Sequence, residues 1–229
     1  MITIGEITIN PTKIICLGTN YMDHIEETGL EVPKEPLLFP KTLNCLITHG
    51  QPIVYPKYLY NNRRLNRVDY EIELAFIVKD RCKNLSAIDA YNHILGYTVF
   101  NDVTARKMQT KDILSQKPWF RSKSFDTFGP IGPSIKLVSE IEDPHNLNIE
   151  LKVNGEVKQK SNTKHLLFKI PETFEFITQL FTMEPGDIVA TGTPGGIGAV
   201  QPGDLIEATI ENIGTLSNKV ILEGEEANL

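Results

Sequence analysis

The sequence is poor in the features that mark several large protein classes. It has three cysteines, Cys16, Cys45 and Cys82, odd in number and far apart. They form no CxxC pair and no zinc-type spacing, which argues against a disulfide framework and a zinc centre. Reduced thiols are expected, with Cys16 as core filler, in a reducing, cytoplasmic compartment. No run approaches the ~20 apolar residues of a membrane span, so no membrane association is expected. The start, Met1 to Glu6, lacks the basic region and apolar core of a secretory leader. Basic residues are outnumbered, 23 against 29 acidic ones, for a net charge of −6. A nucleic-acid-binding surface is argued against. There is no domain linker and no long repeat, and the glycine-rich stretch Thr191 to Gly198 lacks the Gly-Lys-Ser/Thr of a nucleotide-binding P-loop. What remains is the composition of an ordinary soluble globule, 41% hydrophobic and 23% charged.

The most informative stretch is Val68 to Val78. Read with a period of two it is a strand, with Tyr70, Ile72, Leu74 and Phe76 on one face and Asp69, Glu71, Glu73 and Ala75 on the other. Glu71 and Glu73 then project side by side. Such a pair is either an exposed acidic face or a pair of oxygen ligands for a hard divalent cation. Asp102 follows the apolar strand Tyr97–Phe100 at a strand-to-helix junction, as an N-cap or as a third carboxylate ligand. Arg106 and Gln109, three apart on the helix that begins there, would face the same pocket. Lys123 sits among Trp119, Phe120, Phe125 and Phe128. A lysine so placed is a snorkelling side chain, or one with a depressed pKa or an anionic partner.

Around this centre the pattern gives further expectations. Residues 1–11 form an arm with a short hairpin, and Ile14 to Leu17 a buried strand. A short helix capped by Thr19 or Asn20 would place His24 and Glu27 on one face, either as a solvated pair or as an oriented base. Pro33, Pro36 and Pro40 make the stretch that follows an irregular loop, so residues 20–45 are a candidate lid. The basic segment 56–67 reads as a solvated connection, although Arg63, Arg64 and Arg67 could reach an anion. Ser86 would cap a helix bearing Ala87, Ile88, Tyr91, Ile94 and Leu95, with Asp89 completing a capping box. Residues 110–117 look like a polar linker. Asn154-Gly155 is a hairpin turn signal, and Pro171 opens a helix with Phe174, Ile177, Leu180 and Phe181 on its buried face. Pro185-Gly186-Asp187 and Pro202-Gly203-Asp204 are matching turns before strands. Between them the glycine-rich loop suits a small carboxylate.

Taken in order, these segments resemble the fumarylacetoacetate hydrolase family over about residues 12 to 222. The resemblance rests on Gly18-Thr19-Asn20-Tyr21 with His24 and Glu27, on Asp69 to Leu74, and on Asn101-Asp102 to Arg106 with Gln109. Lys123-Ser124-Phe125-Asp126 to Pro130, Val153-Asn154-Gly155-Glu156 and Glu184-Pro185-Gly186-Asp187 to Gly198 complete it. It implies an α+β fold, a mixed β-sandwich roll with short flanking helices, as a single catalytic domain over 1–229 that assembles as a homodimer. It implies one Mg²⁺ or Mn²⁺ per chain on Glu71, Glu73 and Asp102. Catalytic roles fall to His24, Glu27 and Lys123, and substrate contacts to Tyr21, Arg106, Gln109, Thr191, Gly192 and Thr193, with Pro194 in the same loop. The basic segment 58–67 looks longer than is usual in the family and puts substrate size in question.

The implied activity is hydrolysis of a C–C bond in 3-acylpyruvate-like 2-oxo acids through a metal-stabilised enolate. Decarboxylation of oxaloacetate, or keto–enol tautomerisation or isomerisation of 2-oxo dicarboxylates, is the alternative, because each could use the same enolate. A non-catalytic metal- or carboxylate-binding relative is the remaining reading.

Overall fold

A computed structural model describes residues 1–22 and 32–225. The longest apolar runs become strands of a seven-stranded mixed sheet. Its order is Leu37–Lys41, Ile14–Gly18, Ile188–Ala190, Ile72–Val78, Ile94–Asn101, Gly129–Leu137 and Leu46–Thr48. Ile72–Val78 lies at the centre and is buried at every position, as a strand covered on both faces must be. A five-stranded sheet packs over it, ordered Glu156–Asn162, Asn148–Val153, Leu205–Ile210, Gly214–Leu222 and Ile53–Tyr55. Here the alternation is clean: Ile149, Leu151 and Val153 are buried while Asn148 is exposed. Asn154 and Gly155, with φ of 53° and 80°, form the expected turn into Glu156–Asn162. A two-stranded hairpin, Ile2–Ile4 with Ile7–Ile9, forms the N-terminal arm. The fold is α+β, with mixed sheets and few short helices.

The acidic strand is not continuous. It breaks at Glu71 into Val68–Tyr70 and Ile72–Val78, which belong to different sheets. Val68–Tyr70 pairs with Thr104–Ala105 and Gly198–Val200. At the break, side chains replace the ladder. The Glu71 N–H donates to Asn101 Oδ1 at 2.9 Å, and the Ile72 N–H donates to Gln159 Oε1 at 3.0 Å. Satisfying these buried donors lets the strand change sheets without a desolvation penalty.

Other sequence expectations are corrected. Within the candidate lid 20–45, Leu37–Lys41 is an edge strand paired antiparallel with Ile14–Gly18. Pro40 is tolerated there because one side of an edge strand needs no ladder bond. Ala87–His93 is a 3₁₀ helix, and Ser86 donates its hydroxyl to the Asp89 carboxylate at 2.7 Å instead of capping the backbone. Ile94 and Leu95 belong to the next strand. Of the supposed linker at 110–117, residues 110–114 belong to an α-helix, Arg106–Leu114, and only 115–117 are irregular. The helix Ile170–Leu180 has its proline in the first turn and buries Phe174, 5.1 Å centroid to centroid from Phe76. Leu180, at the helix end, and Phe181, which leaves the helix in an extended conformation, remain 53% and 45% exposed. No helix among the described residues is long and apolar enough to cross a membrane.

Asp187 ties the turn before Ile188–Ala190 to the start of the neighbouring strand. Its carboxylate accepts the N–H groups of Thr12 at 2.7 Å, Lys13 at 3.0 Å and Glu184 at 2.8 Å, and pairs with the Lys13 ammonium. Leaving a buried donor unmade costs ~1–3 kcal/mol. Asp187→Ala is therefore expected to lose about 3 kcal/mol in urea unfolding, and Asp187→Asn less; an unchanged midpoint for the alanine variant would refute this account.

Candidate metal centre and cavity

Sheet pairing builds the centre. Ile72 is opposite Asn101 in the register, so the chain leaving Asn101 passes beside Glu71, and the Asp102 N–H donates to the Glu71 carbonyl at 2.8 Å. Glu73 lies two residues along the central strand, on the same side as Glu71. The result is three buried carboxylates, Glu71, Glu73 and Asp102, with one oxygen of each within 4.8 Å of the others. Lys123, just after the 3₁₀ turn Phe120–Ser122, reaches in from the side. Its Nζ donates to Glu71 at 2.7 Å and to Asp102 at 2.5 Å, and lies 4.9 Å from the centre of the Phe39 ring. Trp119 packs on that ring at 4.8 Å.

The charges form one alternating series. Arg67 pairs with Asp69 at 2.8 Å, Asp69 with Arg106 at 2.8 Å, and Arg106 with Glu71. Glu71 pairs with Lys123, Lys123 with Asp102, and Asp102 with Lys41 at 2.6 Å. Arg67 is half exposed at one end, and the Lys41 side chain is fully buried at the other. Glu73 stands outside the series. Among the described residues it has no ion-pair partner and takes the Gly192 N–H at 2.8 Å.

These surroundings divide the acids. Burial opposes the charge on Glu71, but Lys123 and Arg106 outweigh it and hold that carboxyl at about 2. Burial, then Asp102 and Glu71, push Glu73 well above the usual carboxylate range. For Lys123 burial opposes the charge, while Asp102 and Glu71 outweigh it and raise its pKa. Anionic partners thus decide the alternatives left open for this lysine.

The donor set fits a hard divalent cation. It is all carboxylate oxygen, it lacks sulfur and imidazole among the described residues, and it contains one acid whose charge is not compensated. The cluster floors a cavity of about 820 Å³, whose lining also includes Arg106, Gln109, Lys123 and Thr193.

The other sequence candidates are distributed around it. Arg106 donates to Gln109 Oε1 at 2.5 Å, so the two helix residues act as one unit. Thr191 donates its hydroxyl to the Leu74 carbonyl at 2.9 Å, which fixes the central strand. Gly192, at φ 94°, brings its N–H to Glu73; a Cβ there would meet Asn20 Cβ at 2.9 Å. Thr193 faces the cavity and accepts from Gln159 Nε2 at 2.9 Å. Tyr21 is fully buried and forms an isolated bridge with Leu166. His24 and Glu27 lie outside the described residues. Arg63 and Arg64 border a separate surface cleft with Lys57 and Tyr58.

Sequence reasoning missed Lys41, Asn101 and Gln159, and did not give Asp69 its anchoring role. The Lys41 signal was present: it is two residues from Phe39 and shares its strand face, so a lysine falls on a buried face.

The comparisons agree with this picture. Residues 13–221 match the model of the fumarylacetoacetate (FAA) hydrolase C-terminal domain. An uncharacterized protein of Methanocaldococcus jannaschii is 49% identical over 212 residues, 93% of this chain and 84% of that protein. The mitochondrial oxaloacetate tautomerase fahd2 of Xenopus laevis is 40% identical over 219 residues, 93% of this chain and 66% of that protein. The crystal structure of fumarylpyruvate hydrolase from Pseudomonas aeruginosa, in complex with Mn²⁺ and pyruvate, superposes with a TM-score of 0.87 at 30% identity, covering 96% of this chain and 93% of that one.

Two outcomes are expected. Because the folded pKa of Glu73 lies above its unfolded value, its protonated form contributes stability that is lost as pH rises through the folded pKa. In chelator at pH 8, Glu73→Gln should therefore raise Tm by about 2–4 °C, a gain on the order of 1 kcal/mol, and should abolish the further rise that Mn²⁺ gives the parent. A lower Tm in chelator would reject the assignment of an uncompensated charge. Lys41→Met removes one partner of a buried pair and should cost about 3–5 kcal/mol in denaturant unfolding; a loss under about 1 kcal/mol, the worth of a surface pair, would show that Lys41 is dispensable.

Proposed function

The chain belongs to the fumarylacetoacetate hydrolase family, and on that premise we propose a divalent-cation-dependent enzyme that hydrolyses a C–C bond in 3-acylpyruvates. The observation that carries the reading is the buried carboxylate cluster with Lys123, set at the floor of a cavity much larger than a four-carbon acid needs. Mg²⁺ or Mn²⁺ held by Glu71, Glu73 and Asp102 would supply Lewis acidity toward the carboxylate and keto oxygens of a 2-oxo acid. Lys123 keeps its proton at neutral pH and offers a second positive group to the keto oxygen as negative charge gathers there. Gln109, whose carbonyl is taken by Arg106, has its amide N–H groups for a substrate oxygen. Thr193, whose oxygen accepts from Gln159, keeps its own O–H to donate. Phe39 and Trp119 wall the charged floor from water, which strengthens each of these interactions.

On the family resemblance, His24 is assigned the proton transfers, with Glu27 as its partner in the dyad. It takes a proton from water, whose oxygen adds to the distal carbonyl. The bond between that carbonyl carbon and C3 breaks, its electron pair stays with C3, and C3 is protonated. The products are pyruvate and the carboxylate of the acyl group.

A second reading is keto–enol tautomerisation of oxaloacetate, favoured by the 40% identical tautomerase of Xenopus laevis. There His24 and Glu27 would only move a proton between C3 and oxygen. A panel of acylpyruvates and oxaloacetate, assayed with Mg²⁺, with Mn²⁺ and in chelator, separates the two. Cation-dependent release of pyruvate from an acylpyruvate supports hydrolysis, and oxaloacetate enolisation without cleavage supports tautomerisation. In the hydrolytic case His24→Ala should lose at least ~100-fold in kcat, the usual worth of a positioned acid–base group, while Mn²⁺ binding persists. Full cleavage by the His24→Ala variant would remove the histidine from the mechanism.

A further inference from the structure

We propose that the half of the cavity away from the carboxylates is an apolar acyl subsite, which selects 2-oxo acids with an uncharged hydrocarbon tail over 2-oxo dicarboxylates. This deepens the reading above and rests on it. Two elements carry the polarity gradient. On the helix Arg106–Leu114, the cavity-lining residues are Arg106, Gln109, Thr110 and Ile113. That spacing of three, four and seven is a single helix stripe, and it runs from cation through amide and hydroxyl to hydrocarbon. On the edge strand, Leu37 and Phe39 line the same cavity from one strand face. Trp119 and Ile197 extend the apolar wall.

Leu37 and Ile113 are 47% and 52% exposed, although they border a cavity. An alkyl or aryl tail lying across them would remove that surface from water. A second carboxylate finds nothing equivalent. The only Lys and Arg among the described lining residues are Lys123 and Arg106, and both sit at the carboxylate end of the cavity, paired with Glu71. Arg106 spends Nε on Asp69, Nη1 on Gln109 and Nη2 on Glu71, and Lys123 bridges Glu71 and Asp102. Among the described lining residues, a terminal carboxylate in the outer half would lose water without gaining a cationic partner. The cavity volume of about 820 Å³ lies within the ~300–1,000 Å³ of sites that enclose much larger ligands.

The test is calorimetric binding, in Mg²⁺, of saturated 2-oxo monoacids of four to eight carbons, beside 2-oxoglutarate and 2-oxoadipate. Affinity should rise about fourfold per added methylene until the tail fills the wall, and each diacid should bind at least ~10-fold more weakly than the monoacid of equal length. Ile113→Lys, at an exposed position with its fold checked by thermal unfolding, should reverse that order. A flat length series, or tighter binding of the diacids by the parent, would overturn the subsite while leaving 2-oxo acid recognition in place. Failure of every 2-oxo acid to bind would overturn both.

Discussion

Three carboxylates with oxygens within 4.8 Å cannot be buried together unless cations are buried with them. The described structure meets that constraint with Arg67, Arg106, Lys123 and Lys41, interleaved with Asp69, Glu71 and Asp102. Three acids between four bases leave one positive charge over, and Glu73, once ionised, cancels it. Glu73 does so from a distance, without contacting a base among the described residues, and for that reason it resists ionisation. The centre is thus neutral as a whole and frustrated at one atom group. That arrangement suits the proposed cation, because a bound cation would return the energy of ionising Glu73.

The fold can be traced outward from this requirement. Strand Leu37–Lys41 closes one edge of the seven-stranded sheet, and its inward phase delivers Lys41 to Asp102. The break at Glu71 shifts Val68–Tyr70 into a second sheet and lets Asp69 meet Arg67 and Arg106. A continuous strand would have kept Asp69 in the large sheet's ladder. Asn101 and Gln159 make the break affordable by accepting the two N–H groups it releases. Gln159 then uses its other end on Thr193 and Pro194, so one amide couples the broken strand to the loop over the cavity.

What could be read from the sequence followed from how local the cause was. The hairpin at Asn154-Gly155 and the turn at Asp187 depend on a few neighbouring residues and form where the pattern implied, whereas Glu71, Glu73 and Asp102 come together only through pairing of strands distant in sequence. Periodicity alone left the acidic pair ambiguous between a solvated face and a ligand pair; the resemblance of the flanking motifs favoured the ligands, and the structure buries the pair, which excludes the solvated face. Lys41 was lost because three prolines dominated the reading of its segment, and only the partner strand Ile14–Gly18 reveals that Pro40 sits on an edge. The helix over 110–114 was lost for the opposite reason. It has polar residues on most sides and scarcely any amphipathic pattern, because its inner stripe serves a charged cavity and not an apolar core.

That stripe joins two parts of the cavity that differ in how firmly they are held. The charged floor is locked: Lys41, Arg106 and Lys123 each hold two or more acceptors, and changing one disturbs the rest. The outer wall is not locked. Ile113 and Leu37 hold up nothing in the core and are half exposed. Substitutions there should cost little stability, since exposed side chains free of buried partners tolerate change, and on the proposed reading they would alter which tail the site accepts. On the proposed reading, chemistry at the floor and selectivity at the wall are separable, and the helix Arg106–Leu114 carries both, at opposite ends.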